Sequence, residues 1–271
     1  MPELPEVETT LRGIQPYFDK QTIKQIIIRT PKLRWPVPKN LDTVLKLQKI
    51  ITMQRRGKYI IISTEPGHII LHLGMSGHLR ILNEDTPAEK HDHVDIVLTS
   101  GYCCRLTDPR RFGCLLFTDS DPLQHQLLKS LGPEPLSPEF TGEYLYQQTR
   151  RRNVNIKQFI MNSHNIVGVG NIYANEALFA AKIHPLRRAC QLSKRQSETL
   201  ATAIKSILAA AIKRGGTTLK NFLTSDGKPG YFKQSLLVYG REGEACVICK
   251  KPLTHKFINQ RTTVYCTKCQ T

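Results

Sequence analysis

The sequence predicts an α+β protein, with an N-terminal β-sandwich domain, a helical domain and a small cysteine-bearing hairpin. Short β-branched segments fill residues 22–118, and segments with three- and four-residue apolar spacing follow residue 139. Two Cys-x2-Cys pairs lie near the end of the sequence. Residues 132–138 hold three prolines in seven positions, a composition typical of a linker. We therefore predict domains over 1–131, 139–235 and 236–271.

The first domain is predicted to be a sandwich of short strands with a helix packed on it. Pro5 and Glu6 start the helix, since proline suits the first turn and acids suit the positive end of the helix dipole. Ser100-Gly101 is typical of a hairpin turn. Strands are predicted over 23–28, 44–53, 59–63, 68–73, 94–98, 103–107 and 114–117.

The second domain is predicted to be helical. Ser193 and Gly215 have the residue types of a helix cap and a helix stop. Residues 217–234 are polar and contain glycine, and a loop of this length within a compact domain is usually functional. Helices are predicted over 143–150, 155–161, 172–181 and 193–214.

The charge balance indicates a polyanionic partner. Among 271 residues, 39 are Lys or Arg and 22 are Asp or Glu, so the net charge is +17. The cations are scattered through segments with folded-protein patterning, which favours nucleic acid over a lipid surface. The sequence has neither an apolar run of about 18 residues nor a signal-peptide pattern. We therefore expect no membrane association and a cytoplasmic, nucleoid-associated monomer.

Four of the eight cysteines predict one structural zinc ion per chain. Their spacing is Cys246-x2-Cys249-x16-Cys266-x2-Cys269, which is typical of a tetrahedral four-thiolate site. Arg261 lies between the two pairs, where it could contact a phosphate or remain solvated. The other cysteines are interpreted as reduced core or edge residues: Cys103, Cys104, Cys114 and Cys190.

Pro2 is a candidate nucleophile. If Met1 is removed, Pro2 carries a free secondary amine, which titrates near ~7.7–8.0 and needs little adjustment of its pKa to be neutral. Its adduct with a sugar aldehyde carbon is an iminium without an N–H, which favours elimination at the neighbouring carbon. If Met1 is retained, Pro2 is an amide and this chemistry is lost. The alternative is an ordinary helix start.

Three further segments carry candidate DNA-binding residues. Gly168-Val-Gly170 precedes a helix and could bring backbone N–H groups to a phosphate, although a plain helix connection has the same pattern. Met75 lies in a glycine-bracketed loop, and Asp108-Pro-Arg-Arg-Phe-Gly forms another. Apolar residues in such loops can enter a DNA stack, or they can belong to the core.

Together these segments resemble the formamidopyrimidine-DNA glycosylase family over essentially the whole sequence. Leu4 favours this family over its endonuclease VIII branch, which usually has glycine there. The motifs that carry the resemblance are Met1-Pro-Glu-Leu-Pro-Glu-Val-Glu, Asp108-Pro-Arg-Arg-Phe-Gly, Gly168-Val-Gly-Asn-Ile-Tyr and the four cysteines. Residues 215–222 and 225–232 resemble the family's lesion-recognition loop.

The resemblance implies a helix-two-turn-helix second domain and excision of oxidised purines from duplex DNA, followed by strand cleavage. It implies Pro2 as nucleophile, Glu3 in proton transfer, Glu6 in support and Lys58 near the reacting sugar. Lys220 would line the base pocket. Phosphate contacts are expected from His91, Lys157, Asn171 and Arg261, and filling of the void left by the flipped base from Met75, Arg110 and Phe112.

Two alternatives remain open on the sequence. An oxidised-pyrimidine glycosylase of the same fold would share these motifs, because lesion choice depends on pocket shape. A non-catalytic zinc protein that binds DNA would explain the charge, the cysteines and the Gly-x-Gly turn. It would not explain Pro2-Glu3 or the loops that carry Met75 and Arg110.

Overall fold

The computed structural model describes residues 1–215 and 236–271. The described residues form two compact units. Of the described residues, the first contains Met1–Ser130 and Gly215, and the second contains Leu131–Arg214 together with 236–271. In the described part of the chain, no helix has the length and apolar content needed to cross a bilayer.

The first unit is built from two four-stranded antiparallel sheets and two helices. The sheet orders are β1-β6-β7-β5 and β2-β3-β4-β8. The helices are α1 (Leu4–Phe18) and α2 (Leu41–Leu45). The strands are β1 (Ile23–Ile28), β2 (Ile50–Arg56), β3 (Tyr59–Thr64), β4 (Gly67–His72), β5 (His78–Asn83), β6 (Asp92–Leu98), β7 (Tyr102–Thr107) and β8 (Cys114–Thr118).

One apolar core joins the two sheets and α1. Val7, Leu11, Ile14 and Phe18 recur every three or four residues along α1, so one face of the helix enters this core. Both sheets contribute buried side chains to the same cluster, including Ile62 and Leu71 from one and Ile96 and Leu106 from the other. The predicted sandwich is confirmed.

Two strand predictions for this unit need correction. The segment predicted as one strand over 44–53 contains the end of α2 and the start of β2, with Leu47 between them at a φ of 60°. A left-handed residue interrupts the extended backbone, which apolar composition alone did not indicate. Strand β5 was missed because Leu79 is its one fully buried residue, so its apolar pattern is weak.

Among its described residues, the second unit contains four α-helices and a two-stranded hairpin. Its helices are α3 (Gly142–Thr149), α4 (Ile156–Met161), α5 (Asn171–Ala180) and α6 (Lys194–Lys213). Three of them begin at side-chain caps, which are Thr141, Asn155 and Ser193. Ser193 was predicted as a cap. Helix α5 is buried from Ile172 to Phe179, so it forms the centre of the unit.

The hairpin pairs β9 (Thr254–Ile258) with β10 (Arg261–Tyr265). Asn259 and Gln260 join the strands with φ values of 46° and 58°. Positive φ at both central residues is the signature of the type I′ turn, which matches the twist of paired strands. The turn places Arg261 at the exposed tip of the hairpin.

Candidate active site

The start of α1 fixes the residues that follow the amino terminus. The backbone N–H of Glu3 donates to Oε2 of Glu6 at 2.9 Å, and the Glu3 carboxylate accepts from the Glu6 backbone in return. This is a capping box made by two acids, and both are buried, with exposed fractions of 2% and 0%. Pro2 is buried beside them. The two carboxylates predicted to support catalysis therefore fix the backbone of Glu3, the residue next to Pro2.

The terminal amine lies in surroundings that favour its neutral form. Burial lowers the pKa of the Met1 amine below its ordinary value. Glu3 and Glu6 oppose this shift, while Lys58 and Arg110 add to it. A lower pKa raises the neutral, nucleophilic fraction of an amine at neutral pH. Both predicted acids and the predicted lysine thus act electrostatically on the Met1 amine, which adjoins Pro2.

Lys58 lies in the turn between β2 and β3, and that turn is tied to α1. Arg55 donates to the carbonyl of Gly57 at 2.9 Å and to Oε2 of Glu8 at 2.7 Å. Burial opposes ionisation of Glu8, but hydrogen bonds from Arg55 and Arg12 bring its pKa below the ordinary value. Arg55 therefore links the helix that carries the catalytic candidates to the turn that carries Lys58.

Two adjacent loops of the first unit expose the predicted void-filling residues. Met75 and Phe112 are 38% and 45% exposed, so the alternative interpretation of these residues as core is wrong. Arg110 is also exposed, and its Cζ lies 4.9 Å from the centroid of the Phe112 ring. That separation is within the range of a cation–π contact. The structure therefore groups Arg110 with Phe112.

His72 was not singled out from the sequence, yet it adjoins this group. Burial, together with Lys58 and Arg34, lowers the pKa of His72 to about 4, against an opposing effect of Asp108. Its Nδ1 accepts the backbone N–H of Gly74 at 2.9 Å, as a neutral imidazole can. The available signal was its place at a strand end before the Gly-Met-Ser-Gly loop.

The loop that ends at His91 is held in place by hydrogen bonds from the buried side chain of Arg105. The guanidinium of Arg105 donates to the carbonyls of Thr86 at 2.8 Å and Pro87 at 2.9 Å. Arg105 is 1% exposed and also pairs with Asp95. The carbonyl of His91 accepts the backbone N–H of Asp108 at 3.0 Å. The loop before β6 is thereby connected to the loop that carries Arg110.

In the second unit, two predicted phosphate-binding residues converge on the hairpin. Nζ of Lys157 donates to the Thr262 carbonyl at 3.1 Å and to Oγ1 of Thr263 at 2.7 Å. Nδ2 of Asn171 reaches the same Thr262 carbonyl at 3.1 Å. Lys157 is 1% exposed. The structure gives its ammonium a role in holding the hairpin, and its contact with a phosphate stays a prediction.

A groove of about 640 Å³ opens between α4 and the tip of the hairpin. Arg152, Lys157 and Arg261 contribute cations to its lining, and Asn162 and His164 contribute further polar groups. A concave surface lined in this way suits an anion. Arg261 is exposed there, as a residue that contacts a phosphate would need to be.

The four hairpin cysteines form a site that fits zinc. The Sγ atoms of Cys246, Cys249, Cys266 and Cys269 all lie within 4.8 Å of one another. A tetrahedron with Zn–S bonds of about 2.3 Å has S–S edges of about 3.8 Å, close to this arrangement. The Cys249–Cys266 separation is 3.4 Å and the Cys246–Cys269 separation is 4.0 Å. With four thiolates the coordination is complete, so the ion is structural.

The remaining predicted positions divide between described and undescribed parts of the chain. Lys220 lies outside the described residues. Cys103, Cys104 and Cys114 are buried, and burial raises the pKa of Cys114 to about 11. Cys190 is partly exposed. The interpretation of these four as core or edge residues agrees with these exposures.

Comparison with known families identifies the class of protein. Residues 1–115 match the N-terminal domain of formamidopyrimidine-DNA glycosylase, and residues 131–223 match the H2TH domain of the same enzyme. A sandwich domain followed by an H2TH domain defines a class of DNA glycosylase.

Full-length relatives then place the chain within that class. Formamidopyrimidine-DNA glycosylases of Saccharophagus degradans and Pseudomonas fluorescens are 53% and 54% identical over 270 residues, and each alignment covers 100% of both chains. The crystal structure of MutM (Fpg) from Thermus thermophilus is 34% identical, with a TM-score of 0.89 over 99% of this chain and 98% of that one. A structure of MutM in complex with DNA containing carbocyclic 8-oxo-G is 33% identical, with a TM-score of 0.91 over 99% of each chain.

The chain belongs to the formamidopyrimidine-DNA glycosylase family. Its predicted fold class, its assignment as a DNA glycosylase and its single structural zinc site are confirmed. The roles of individual site residues and the exact domain boundaries stay predictions.

Proposed function

We propose that this chain is a bifunctional DNA glycosylase and AP lyase that removes 8-oxoguanine and formamidopyrimidines from duplex DNA. The observation that carries the proposal is the environment of the amino terminus: Pro2 is buried beside the buried carboxylates Glu3 and Glu6, and burial together with Lys58 lowers the pKa of the adjoining Met1 amine. Family membership supports the same reaction. Relatives with 32–33% identity have been solved with DNA that contains Fapy-dG or carbocyclic 8-oxo-G.

The reaction begins at Pro2 after removal of Met1. The proline nitrogen attacks C1′ of the damaged nucleotide, the glycosidic bond breaks, and the base departs with the bonding electrons and takes up a proton. Glu3 transfers protons at the sugar as its ring opens to leave a cationic iminium. Loss of a C2′ proton expels the 3′ phosphate, and loss of a C4′ proton then expels the 5′ phosphate.

The remaining residues bind and deform the duplex. Lys58, close to the amine, is proposed to contact the reacting sugar and its phosphate. The phosphate backbone is proposed to be held by His91, Asn171 and Arg261, with Lys157 holding the hairpin that carries Arg261. The void is proposed to be filled by Met75, Arg110 and Phe112. Lys220 is proposed to line the base pocket. The excess of cations supports such a polyanionic partner.

We also propose that the enzyme acts as a monomer in the cytoplasm, associated with the nucleoid. The four predicted zinc ligands all come from one chain. The catalytic candidates Pro2, Glu3 and Lys58 likewise lie in one unit of that chain. A second copy is therefore not needed to complete either site.

Borohydride trapping tests the proposal. Protein shown by mass spectrometry to begin at Pro2 should form a covalent adduct with an 8-oxoguanine duplex and cut its strand. Pro2→Gly should retain some trapping, because glycine still offers a primary amine. Acetylation of the terminus, or retention of Met1, should abolish both signals. Undiminished strand cleavage by protein that keeps Met1 would contradict the mechanism.

A parallel duplex with an oxidised pyrimidine tests lesion class. Preferential excision of the pyrimidine would favour the endonuclease VIII-like alternative. Tight binding to both duplexes without an adduct or strand cleavage would favour a non-catalytic zinc protein.

A further inference from the structure

One buried carboxylate connects the two loops that expose Met75 and Phe112. Oδ1 of Asp108 accepts the hydroxyl of Ser76 at 2.6 Å, and Oδ2 accepts the backbone N–H of Gly113 at 2.7 Å. Asp108 is fully buried and Ser76 is 5% exposed. The Asp108 side chain therefore contacts the residue after Met75 and the residue after Phe112.

The middle of the second loop is held by the same pair of side chains. The backbone N–H of Arg110 lies 3.2 Å from Oγ of Ser76 and 3.3 Å from Oδ1 of Asp108, so it is shared between them. The Ser76 hydroxyl thus donates to one loop residue and accepts from another. Hydrogen bonds of this kind to a buried carboxylate are stronger than bonds between neutral groups.

The backbones of the two loops also touch directly. A Cβ placed on Gly74 would collide with the backbone of Phe112 and Gly113. Gly74 has a φ of 65°, a conformation that side chains rarely adopt. The loops are therefore in backbone contact on one side and joined through Asp108 on the other.

Asp108 is itself anchored to the sheet below. Its carbonyl lies 2.8 Å from Nε2 of His93, and Nδ1 of His93 lies 2.8 Å from the hydroxyl of Thr30. The backbone N–H of Asp108 donates to the carbonyl of His91. The residue that joins the loops is thus fixed to β6, so both loops take their position from the sandwich.

From this arrangement we propose that Ser76 and Asp108 are positioning residues that make the loops of Met75, Arg110 and Phe112 one rigid wedge. The inference rests on the proposed function, since it assumes that these three residues fill the void in the duplex. Ser76 and Asp108 act through the wedge and do not contact DNA. A wedge that is already ordered loses less conformational entropy when it enters the stack.

The test compares a substrate that needs the wedge with one that does not. The first is an 8-oxoguanine duplex, and the second is a single-stranded abasic oligonucleotide, which has neither a stack to fill nor an opposing base. The variants are Ser76→Ala and Asp108→Asn. Ser120→Ala is the matched control, because Ser120 is exposed and its hydroxyl donates to the neighbouring Asp119.

We expect Ser76→Ala to lower the ratio of duplex excision to single-strand trapping about tenfold, and Asp108→Asn to lower it about a hundredfold. The larger loss is expected in Asp108→Asn because the amide nitrogen of asparagine would face one of the N–H or O–H groups that now donate a hydrogen bond to the carboxylate. Single-strand trapping should change less than threefold in Ser76→Ala. In Ser120→Ala, both the ratio and single-strand trapping should stay at the wild-type level.

A binding measurement tests the same point without chemistry. With 2-aminopurine opposite a tetrahydrofuran abasic analogue, wild-type protein should raise the fluorescence as the wedge unstacks the base, and Ser76→Ala should raise it less. An unchanged ratio and unchanged fluorescence in folded Ser76→Ala would overturn the inference alone. Absence of any trapping by wild-type protein would instead overturn the proposed function, and the inference with it.

Discussion

The ammonium of Lys157 on α4 donates a 2.7 Å hydrogen bond to the hydroxyl of Thr263 on the zinc hairpin. Both groups are buried. A second hydrogen bond joins a helix to the hairpin, because Oδ1 of Asn175 on α5 accepts the backbone N–H of Val264 at 2.8 Å. The hairpin tip that carries Arg261 is therefore held against two helices by polar contacts as well as by its apolar core.

This relationship predicts different salt responses for Lys157 and Arg261. Arg261→Ala should reduce the log–log salt slope of DNA binding by about one, because a phosphate contact contributes about 0.9 to that slope. Lys157→Met should weaken binding at all salt concentrations and leave the slope unchanged, since its cation holds the hairpin. Binding titrations between 50 and 200 mM salt measure both slopes. A protein with 6–10 phosphate contacts loses about 10³–10⁵-fold in DNA affinity over that range of salt concentration.

Lys213→Met is the matched control for Lys157→Met, because Lys213 is exposed at the end of α6. A slope reduced by about one unit in Lys157→Met would show that its cation contacts a phosphate, as predicted from the sequence. It would also show that the hairpin contact is not its main role in binding.

Cys249→Ala should release the zinc ion and unfold the hairpin while the sandwich unit stays folded. The segment contributes only a few side chains to a small core that it shares with Phe179 of α5, so metal coordination is expected to supply most of its stability. Metal analysis should find one zinc per wild-type chain and much less in the variant. Cys190→Ala, outside the cluster, should keep the full metal content. Equal zinc content in Cys249→Ala and wild-type protein would contradict the assignment.

The Pro2 amine freed by removal of Met1 is expected to titrate below the ordinary range of an α-amine, because Pro2 is buried beside the same groups as the Met1 amine. Burial is the main cause of the lowered pKa of the Met1 amine, and Lys58 adds to it. The trapping rate on an abasic duplex should therefore rise with pH as the Pro2 amine loses its proton, through a midpoint below that of an ordinary α-amine. Lys58→Gln should move that midpoint to higher pH, whatever it does to the maximal rate. A midpoint that stays fixed in Lys58→Gln would exclude an electrostatic role for this lysine.

Predictions from the sequence were most accurate where one residue type recurs at a fixed spacing. The two Cys-x2-Cys pairs indicated the zinc site, and the β-branched segment Ile23–Ile28 indicated a strand with the observed bounds. Contacts between side chains that are far apart in the chain leave no such pattern in the sequence. Lys157 and Thr263 are 106 residues apart, and Ser76 and Asp108 are 32 apart. Their contacts depend on tertiary packing, which local periodicity does not encode.

His72 makes stability depend on pH. Burial is the main reason that its pKa falls to about 4, so it stays neutral in the folded protein while an unfolded histidine takes up a proton below about 6.5. Between these values the unfolded state binds more protons, and the free energy of unfolding falls as the pH falls. His72→Asn, which keeps an acceptor for the Gly74 N–H, should flatten this dependence between pH 6.5 and 4.

Urea unfolding at several pH values measures the effect. His255→Asn is a suitable control because His255 is exposed on β9. His78, His125 and His184 also have lowered pKa values, mainly through burial, so part of the dependence should persist in His72→Asn. A pH dependence identical to that of the wild-type protein would show that His72 titrates in the same way in both states.

Arg110 should discriminate the base opposite the lesion. It is exposed beside Phe112 and within electrostatic range of the terminal amine, so the wedge and the candidate nucleophile lie in one region of the first unit. A guanidinium donates hydrogen bonds and accepts none. The pairing edge of cytosine offers O2 and N3 as acceptors, whereas the N6 group of adenine would face the donors of Arg110.

The loss of one bidentate-type contact costs roughly 1–3 kcal/mol, which corresponds to about ten- to a hundredfold in processing. The enzyme should therefore cut 8-oxoguanine well opposite cytosine and poorly opposite adenine. Arg110→Ala should lose activity on the cytosine pair and so narrow the difference in activity between the cytosine and adenine duplexes. Arg111→Ala serves as the control, because Arg111 is exposed in the same loop. The comparison requires kcat/KM for both duplexes with each protein. If Arg110→Ala keeps the wild-type ratio, discrimination resides in another residue, because a donor-only side chain that reads the opposing base cannot be removed without changing that ratio.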